Sequence, residues 1–174
     1  DQVEFIFDEI LTEQFSVLAK KEGASLFMTL LSAFNVFLYR YTGQDDLCIG
    51  TPVANRQYGE TQSLIGMFVN MLALRNTVVA NDSFIQLLRK VKKTCLEAYD
   101  HQDTPFEKIV DKVQVRRNMA MSPIFQIMFA LHTGVEGHES DMHAFPFDNP
   151  ISKFDLSVEF TKKTTGLVGV IEYN

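Results

Sequence analysis

Cysteine, basic charge and long apolar runs are all scarce in this 174-residue chain, and each scarcity removes a class of function. The two cysteines, Cys48 and Cys95, have no CxxC spacing and no secretion signal ahead of them, so neither a disulfide framework nor a thiolate zinc site is on offer. Cys48 falls in a strand-like segment and Cys95 in a helix-like one, and both read as buried thiols of a reducing, cytoplasmic compartment. Lysine and arginine number 16 against 22 aspartates and glutamates, a formal charge of -6. Nucleic-acid backbones are held by clustered Lys and Arg, so that class of partner is disfavoured. The longest apolar stretch, Leu26 to Tyr41, is broken by Thr29, Ser32, Asn35 and Arg40 and falls short of the ~20 residues that cross a bilayer. No internal repeat or low-complexity tract is present.

What remains is 46% hydrophobic and 22% charged, enough apolar material for one globular core spanning residues 1–174. The chain begins with Asp rather than Met, which suits a piece excised from a larger polypeptide. Val3 to Phe7 reads as a strand or a docked linker. Thr12 predicts the N-cap of a helix with Phe15, Leu18 and Ala19 on one face and Gly23 as its stop. Ser25 caps a second helix, apolar nearly all round and therefore buried, with Leu26, Leu30, Phe34, Phe37, Leu38 and Tyr41 along one side. Thr42 to Asp46 is a turn, Leu47 to Thr51 a short strand ending at Pro52, and Ala54 to Ser63 a polar loop.

Phe68 to Leu74 alternates as a strand, with Phe68, Asn70, Leu72 and Leu74 on one face and Val69, Met71 and Ala73 on the other. Asp82 or Ser83 caps a long helix buried along Phe84, Leu87, Leu88, Val91, Cys95, Ala98 and Tyr99. Thr104-Pro105-Phe106-Glu107 combines a capping box with Pro at the first helical position, and Phe106, Ile109, Val110 and Val113 form the next buried face. Ile124–Leu131, Phe154–Phe160 and Leu167–Tyr173 predict three strands, the middle one turning Asp155, Ser157 and Glu159 outward. Thr133 to Pro150 is a long loop, of a length that is functional or mobile. The mixture without regular βαβ alternation predicts an α+β (mixed α/β) fold, one mixed sheet with helices packed on it.

Four segments occur in a suggestive order: Ile49-Gly50-Thr51-Pro52-Val53-Ala54-Asn55-Arg56; Ile65-Gly66-Met67-Phe68-Val69-Asn70; His101-Gln102-Asp103-Thr104-Pro105-Phe106-Glu107; and Ser122-Pro123-Ile124-Phe125. Together they resemble consecutive motifs of the condensation domains of nonribosomal peptide synthetases, over nearly the whole chain. The family's catalytic signature, HHxxxDG, is absent, and no His-His pair occurs anywhere. The resemblance therefore implies the C-terminal lobe of a chloramphenicol acetyltransferase-like two-lobe fold, whose reaction tunnel lies between the lobes. It implies part of an enzyme that joins an acyl or peptidyl thioester to the amine of an aminoacyl thioester, inactive as this lobe alone. No cofactor is bound directly, since substrates arrive on phosphopantetheine arms. The implied partners are the missing N-terminal lobe, which would meet an exposed apolar face here, the upstream and downstream carrier proteins, and an adjacent adenylation domain.

No catalytic residue of the signature lies in this chain, but three residues are candidates for supporting roles. Asn70, polar on an apolar face, either donates to a substrate carbonyl or ties its strand to a neighbouring loop. Arg56 either holds a phosphopantetheine phosphate or bridges the lobes, or forms a surface ion pair. Ser122 stands where the family more often has Asn before Pro, in a motif that here runs Arg117-Asn118-Met119-Ala120-Met121-Ser122-Pro123-Ile124-Phe125, and offers a shorter donor. His101 and Asp103 fit structural hydrogen bonding beside a helix start better than catalysis. His132, His138 and His143, with Glu139 and Asp141, match no zinc spacing, so no metal is expected. The alternatives are a non-catalytic condensation-like module that recruits a partner protein, a heterocyclisation-type relative, and a free acetyltransferase, whose own histidine signature is absent.

Overall fold

A computed structural model describes residues 1–113, 122–133, 152–164 and 166–174. The long loop expected from Thr133 to Pro150 lies, beyond Thr133, outside the described residues, as do Arg117 to Met121.

Strand β1 (Gln2–Phe7) leads into helix α1 (Glu9–Lys21). The cap is Asp8 rather than Thr12: its carboxylate accepts the Leu11 N–H at 2.8 Å. Thr12 lies inside the first turn, buried, with its hydroxyl donating to Phe7 O at 3.3 Å. Asp caps as well as Thr, and starting at 8 adds a turn that sets Phe15 against Phe7, ring centroids 6.0 Å apart. Gly23 follows the helix with φ +60, the left-handed backbone that ends helices cheaply only with glycine.

Helix α2 (Leu26–Thr42) is capped by Ser25, whose hydroxyl accepts the Met28 N–H at 3.1 Å. It is the central helix, and its buried polar residues donate locally, although Asn35 Oδ1 is buried with no hydrogen-bond partner among the described residues. Thr29, Ser32 and Asn35 donate to the carbonyls of Ser25, Met28 and Leu31 at 3.0, 2.7 and 2.7 Å. The expected apolar side is corrected in one respect. Phe34 and Leu38 are buried, but Phe37 and Tyr41 are 54% and 81% exposed.

Strand β2 (Asp46–Val53) continues through Pro52 instead of ending there. Its neighbour β4 (Ile127–Thr133) pairs with it only at Ile49 and Gly50, so a residue without an N–H is tolerated beyond them. The polar loop contains a short helix, α3 (Gly59–Gln62), and strand β3 runs Asn70–Thr77, two residues later than its pattern suggested. Leu72 and Leu74 face the core as their alternation requires. Ser83 caps α4 (Phe84–Asp100) through a reciprocal exchange with Gln86. Helix α5 is Phe106–Val113, and β5 (Leu156–Lys163) and β6 (Gly166–Tyr173) complete the chain.

One six-stranded sheet has the order β1-β6-β5-β4-β2-β3, parallel at β2/β4 and β4/β5 and antiparallel elsewhere. Helices α1, α2 and α4 lie on the face that carries Ile49, Leu74, Phe129 and Val158. The other face is not simply wet: Ser157, expected outward, is 5% exposed, beside Met128 and Ala130 on its neighbour β4. Its centre is closed by Phe125, 1% exposed, which lies directly over Gly50. Strand β4 begins at Ile127 rather than Ile124, because Ile124 takes φ +74 and turns the chain so that Phe125 can reach that place.

Candidate functional site

The four motif segments, spread over some 75 positions from Ile49 to Phe125, converge beside the β2–β3 pair. At Gly50 any Cβ would sit 2.0–2.5 Å from three ring carbons of Phe125, so the first motif leaves room for the fourth. Phe125 in turn meets Phe106 of the third motif at 5.4 Å and Phe154 at 5.7 Å.

Asn70, first residue of β3, joins the second motif to the third. Its Nδ2 donates to Gln102 O and to Thr104 O, both at 2.8 Å, and its Oδ1 accepts the Phe106 N–H at 3.2 Å. The helix start of α5 is thus capped from a strand 36 residues earlier, not by the Thr104/Glu107 box read from the sequence. His101 is exposed at the end of α4, and Asp103 accepts from Gln57 Nε2 at 3.3 Å.

The guanidinium of Arg56 turns back on its own loop. It donates to Thr61 O, to Leu64 O at 2.9 Å and to Gly66 O at 3.2 Å, and lies 4.3 Å from the centre of the Phe68 ring. The loop so held presents Leu64, Ile65, Met67 and Val69 to solvent, each more than half exposed. The Ser122 carbonyl accepts from Gln126 Nε2 at 3.0 Å, while the Ser122 hydroxyl reaches Pro123 O at 3.5 Å.

At the carboxyl ends of the parallel strands β2 and β4, where open sheets tend to bind ligands, is a cleft of about 650 Å³. Thr51, Val53, Val69, Tyr99, Leu131 and His132 are among its lining residues. Burial, with the Cys95 thiol as a smaller contributor, pushes the Tyr99 phenol up to about 12, so it remains a neutral donor near neutrality. His132 Nε2 lies 3.2 Å from Glu159 Oε2 on the open face. His138, His143, Glu139 and Asp141 lie outside the described residues, and among the described residues no three His, Cys, Asp or Glu side chains are arranged to hold a metal. Both cysteines are free; Cys95 is fully buried, but Cys48 only half so.

One mixed sheet with helices packed on it carries this motif cluster. Residues 1–174 match the Condensation domain family, and the chain belongs to it. It is 46% identical over 174 residues to a linear gramicidin synthase polypeptide of Brevibacillus parabrevis, a match that takes in 97% of this chain and 3% of that protein. To tyrocidine synthase 3 of the same organism it is 42% identical over 167 residues, 94% of this chain and 3% of that protein, so it spans a small part of the length of such relatives. Its structure is similar to a four-domain nonribosomal peptide synthetase bound to AMP and glycine, with a TM-score of 0.89 and 24% identity over 100% of this chain and 15% of that one. It is equally similar in fold to the X-domain from teicoplanin biosynthesis, at 0.89 and 21% identity over 99% and 41% of the two chains. The fold expectation holds in its class: a mixed α/β fold, one mixed six-stranded sheet with helices packed on it, of the chloramphenicol acetyltransferase-like kind. Among the described residues no single helix is long and apolar enough to cross a membrane.

Proposed function

We propose that this chain is the C-terminal lobe of a condensation domain that forms the amide bond between an upstream acyl or peptidyl thioester and a downstream aminoacyl thioester in nonribosomal peptide synthesis. The observation that carries this reading is the convergence of all four motifs on one place, Gly50, Asn70, Phe106 and Phe125, beside a cleft at the carboxyl ends of parallel strands. In this reading the cleft forms one wall of the tunnel. The other wall and the HHxxxDG histidine come from an N-terminal lobe that meets the exposed Leu64–Val69 loop. Carrier proteins deliver both substrates on phosphopantetheine arms, next to an adenylation domain and in the cytoplasm. Asn70 and Arg56 act as braces that hold the third motif and the loop in register, and Ser122 supports the turn ahead of β4.

A likeness in fold to an X-domain does not separate catalysis from recruitment, whereas 46% identity to a linear gramicidin synthase favours the catalytic reading. The test is reconstitution. This chain alone, given two loaded carrier proteins, should form no dipeptide; joined to the HHxxxDG-bearing segment of its parent polypeptide it should form one, and replacing the second histidine should abolish it. Condensation by the isolated chain, or a folded reassembled domain that binds both carriers without turnover, would overturn the proposal.

A further inference from the structure

Helix α1 packs on α2 and β6 and buries Thr12 and Ala19 against them. On its opposite side, two turns apart on one stripe, stand Ile10 and Val17, 71% and 56% exposed. Both are β-branched and poorer helix formers than the polar residues that usually fill such places, so the helix itself gives no reason for them. A shallow apolar depression runs over this stripe, and among the described residues α1 alone lines it. Charge divides along the helix: Glu9 lies in its first turn, Lys20 and Lys21 in its last. Glu9 and Glu13 are also four residues apart, a spacing at which like charges repel. Among the described residues no ion pair within the chain takes up Glu9, Glu13, Lys20 or Lys21.

An apolar stripe with acid at one end and base at the other is complementary to itself when two copies run antiparallel. A parallel pair would set Glu9 on Glu9 and Lys20 on Lys20. We infer that the outer face of α1 docks on α1 of a second copy of this chain, about a two-fold axis passing near Glu13 and Gln14. In that register Ile10 meets the second copy's Val17 and Val17 its Ile10, the spacing of a short coiled-coil seam. Glu9 then falls within two residues, about 3 Å along the axis, of the position facing Lys20 of the other copy, and on the same flank of the seam. Glu13 comes beside the axis, close to its own copy, so the register carries one like-charge contact as well as two ion pairs. The sheet order sets α1, with β6 and β1, toward the edge opposite β3, so docking leaves the motif cluster and the cleft uncovered.

The test is the oligomeric state of this chain, and it does not read amide formation. One pair of short helices makes a small interface, so the expected dissociation constant is on the order of 0.1 mM, read by sedimentation equilibrium up to about 1 mM. Ile10→Lys should weaken the dimer about tenfold or more, and so should Glu9→Lys and Lys20→Glu taken singly. Mixed in equal amounts, the Glu9→Lys and Lys20→Glu chains should dimerise about as strongly as the wild type, because each supplies the charge the other has lost. Misfolded variants could not recover in this way. Glu13→Gln should tighten the dimer by removing the like charges at the axis. A chain that stays monomeric at the highest concentration, single variants that associate like the wild type, or a mixture that fails to recover would each overturn the inference. So would a dimer broken by Phe37→Lys and not by Ile10→Lys, which would move the contact to α2.

Discussion

Replacing Asn70 with Ala and, separately, with Asp distinguishes the parts of its side-chain amide. The amide makes three hydrogen bonds, two as donor at 2.8 Å and one as acceptor at 3.2 Å. Each neutral bond contributes about 0.5–1.5 kcal/mol net, and the Gln102 and Thr104 carbonyls lie on a turn that water can reach, so Asn70→Ala should cost about 2 kcal/mol. For a domain of this size that is a fall of about 4–8 °C in Tm. Asn70→Asp keeps the acceptor for Phe106 N–H and places a carboxylate at a helix start, favourable by about 0.5 kcal/mol. It also replaces the donor with a negative oxygen facing two carbonyl oxygens at 2.8 Å, a repulsion that outweighs the gain. The expected order of stability is therefore wild type, then Ala, with Asp no better than Ala. Thermal melts of this chain check the order, and an Asp variant that melts like the wild type refutes the account, because the donors would then be dispensable. In the reassembled domain, turnover per folded molecule should hold for both variants. A tenfold loss of rate without a loss of stability would move Asn70 from brace to substrate contact.

Gly50→Ala should force the Phe125 ring from its buried place and cost about 1–3 kcal/mol in urea denaturation. Phe125→Ala in the same chain should make the two losses less than additive, and strict additivity would remove the contact from the account. Burial holds the Cys95 thiol at about 12 against an ordinary 9.0 and the Tyr99 phenol at about 12 against 10.0. The unfolded chain releases these protons first, so stability should be complete below pH 9 and fall as pH rises from about 9 to about 12, with Cys95→Ala flattening the decline. A melting temperature that stays level over that range would contradict the burial of both groups.

The local elements are largely legible in the sequence because their causes are local. Ser25 and Ser83 cap helices within three residues of themselves, Gly23 sits where a left-handed backbone is needed, and the alternation of Asn70, Leu72 and Leu74 sets the face of β3. The cap of α1 falls four residues before the expected one because Asp8 and Thr12 are both competent and only packing of Phe15 on Phe7 chooses between them. Phe37 and Tyr41 share the apolar side of α2 in the helical pattern, and nothing in that pattern says that the sheet leaves them uncovered. Ser157 is buried against expectation because alternation reports two faces without saying that both are covered.

The candidate site divides in the same way. Motif order, composition and the missing HHxxxDG determined the family, the fold class and the absence of the signature histidines from this chain, since each of these is a property of residues in line. That Asn70 caps α5, that Arg56 is spent on its own loop, and that Gly50 exists to admit Phe125 were decided only by the fold. Those contacts join residues 36, 5 to 10, and 75 positions apart, and the distance between such residues is set by strand register and chain reversal rather than by any local preference. Which ring lies over Gly50 is settled only by the turn at Ile124.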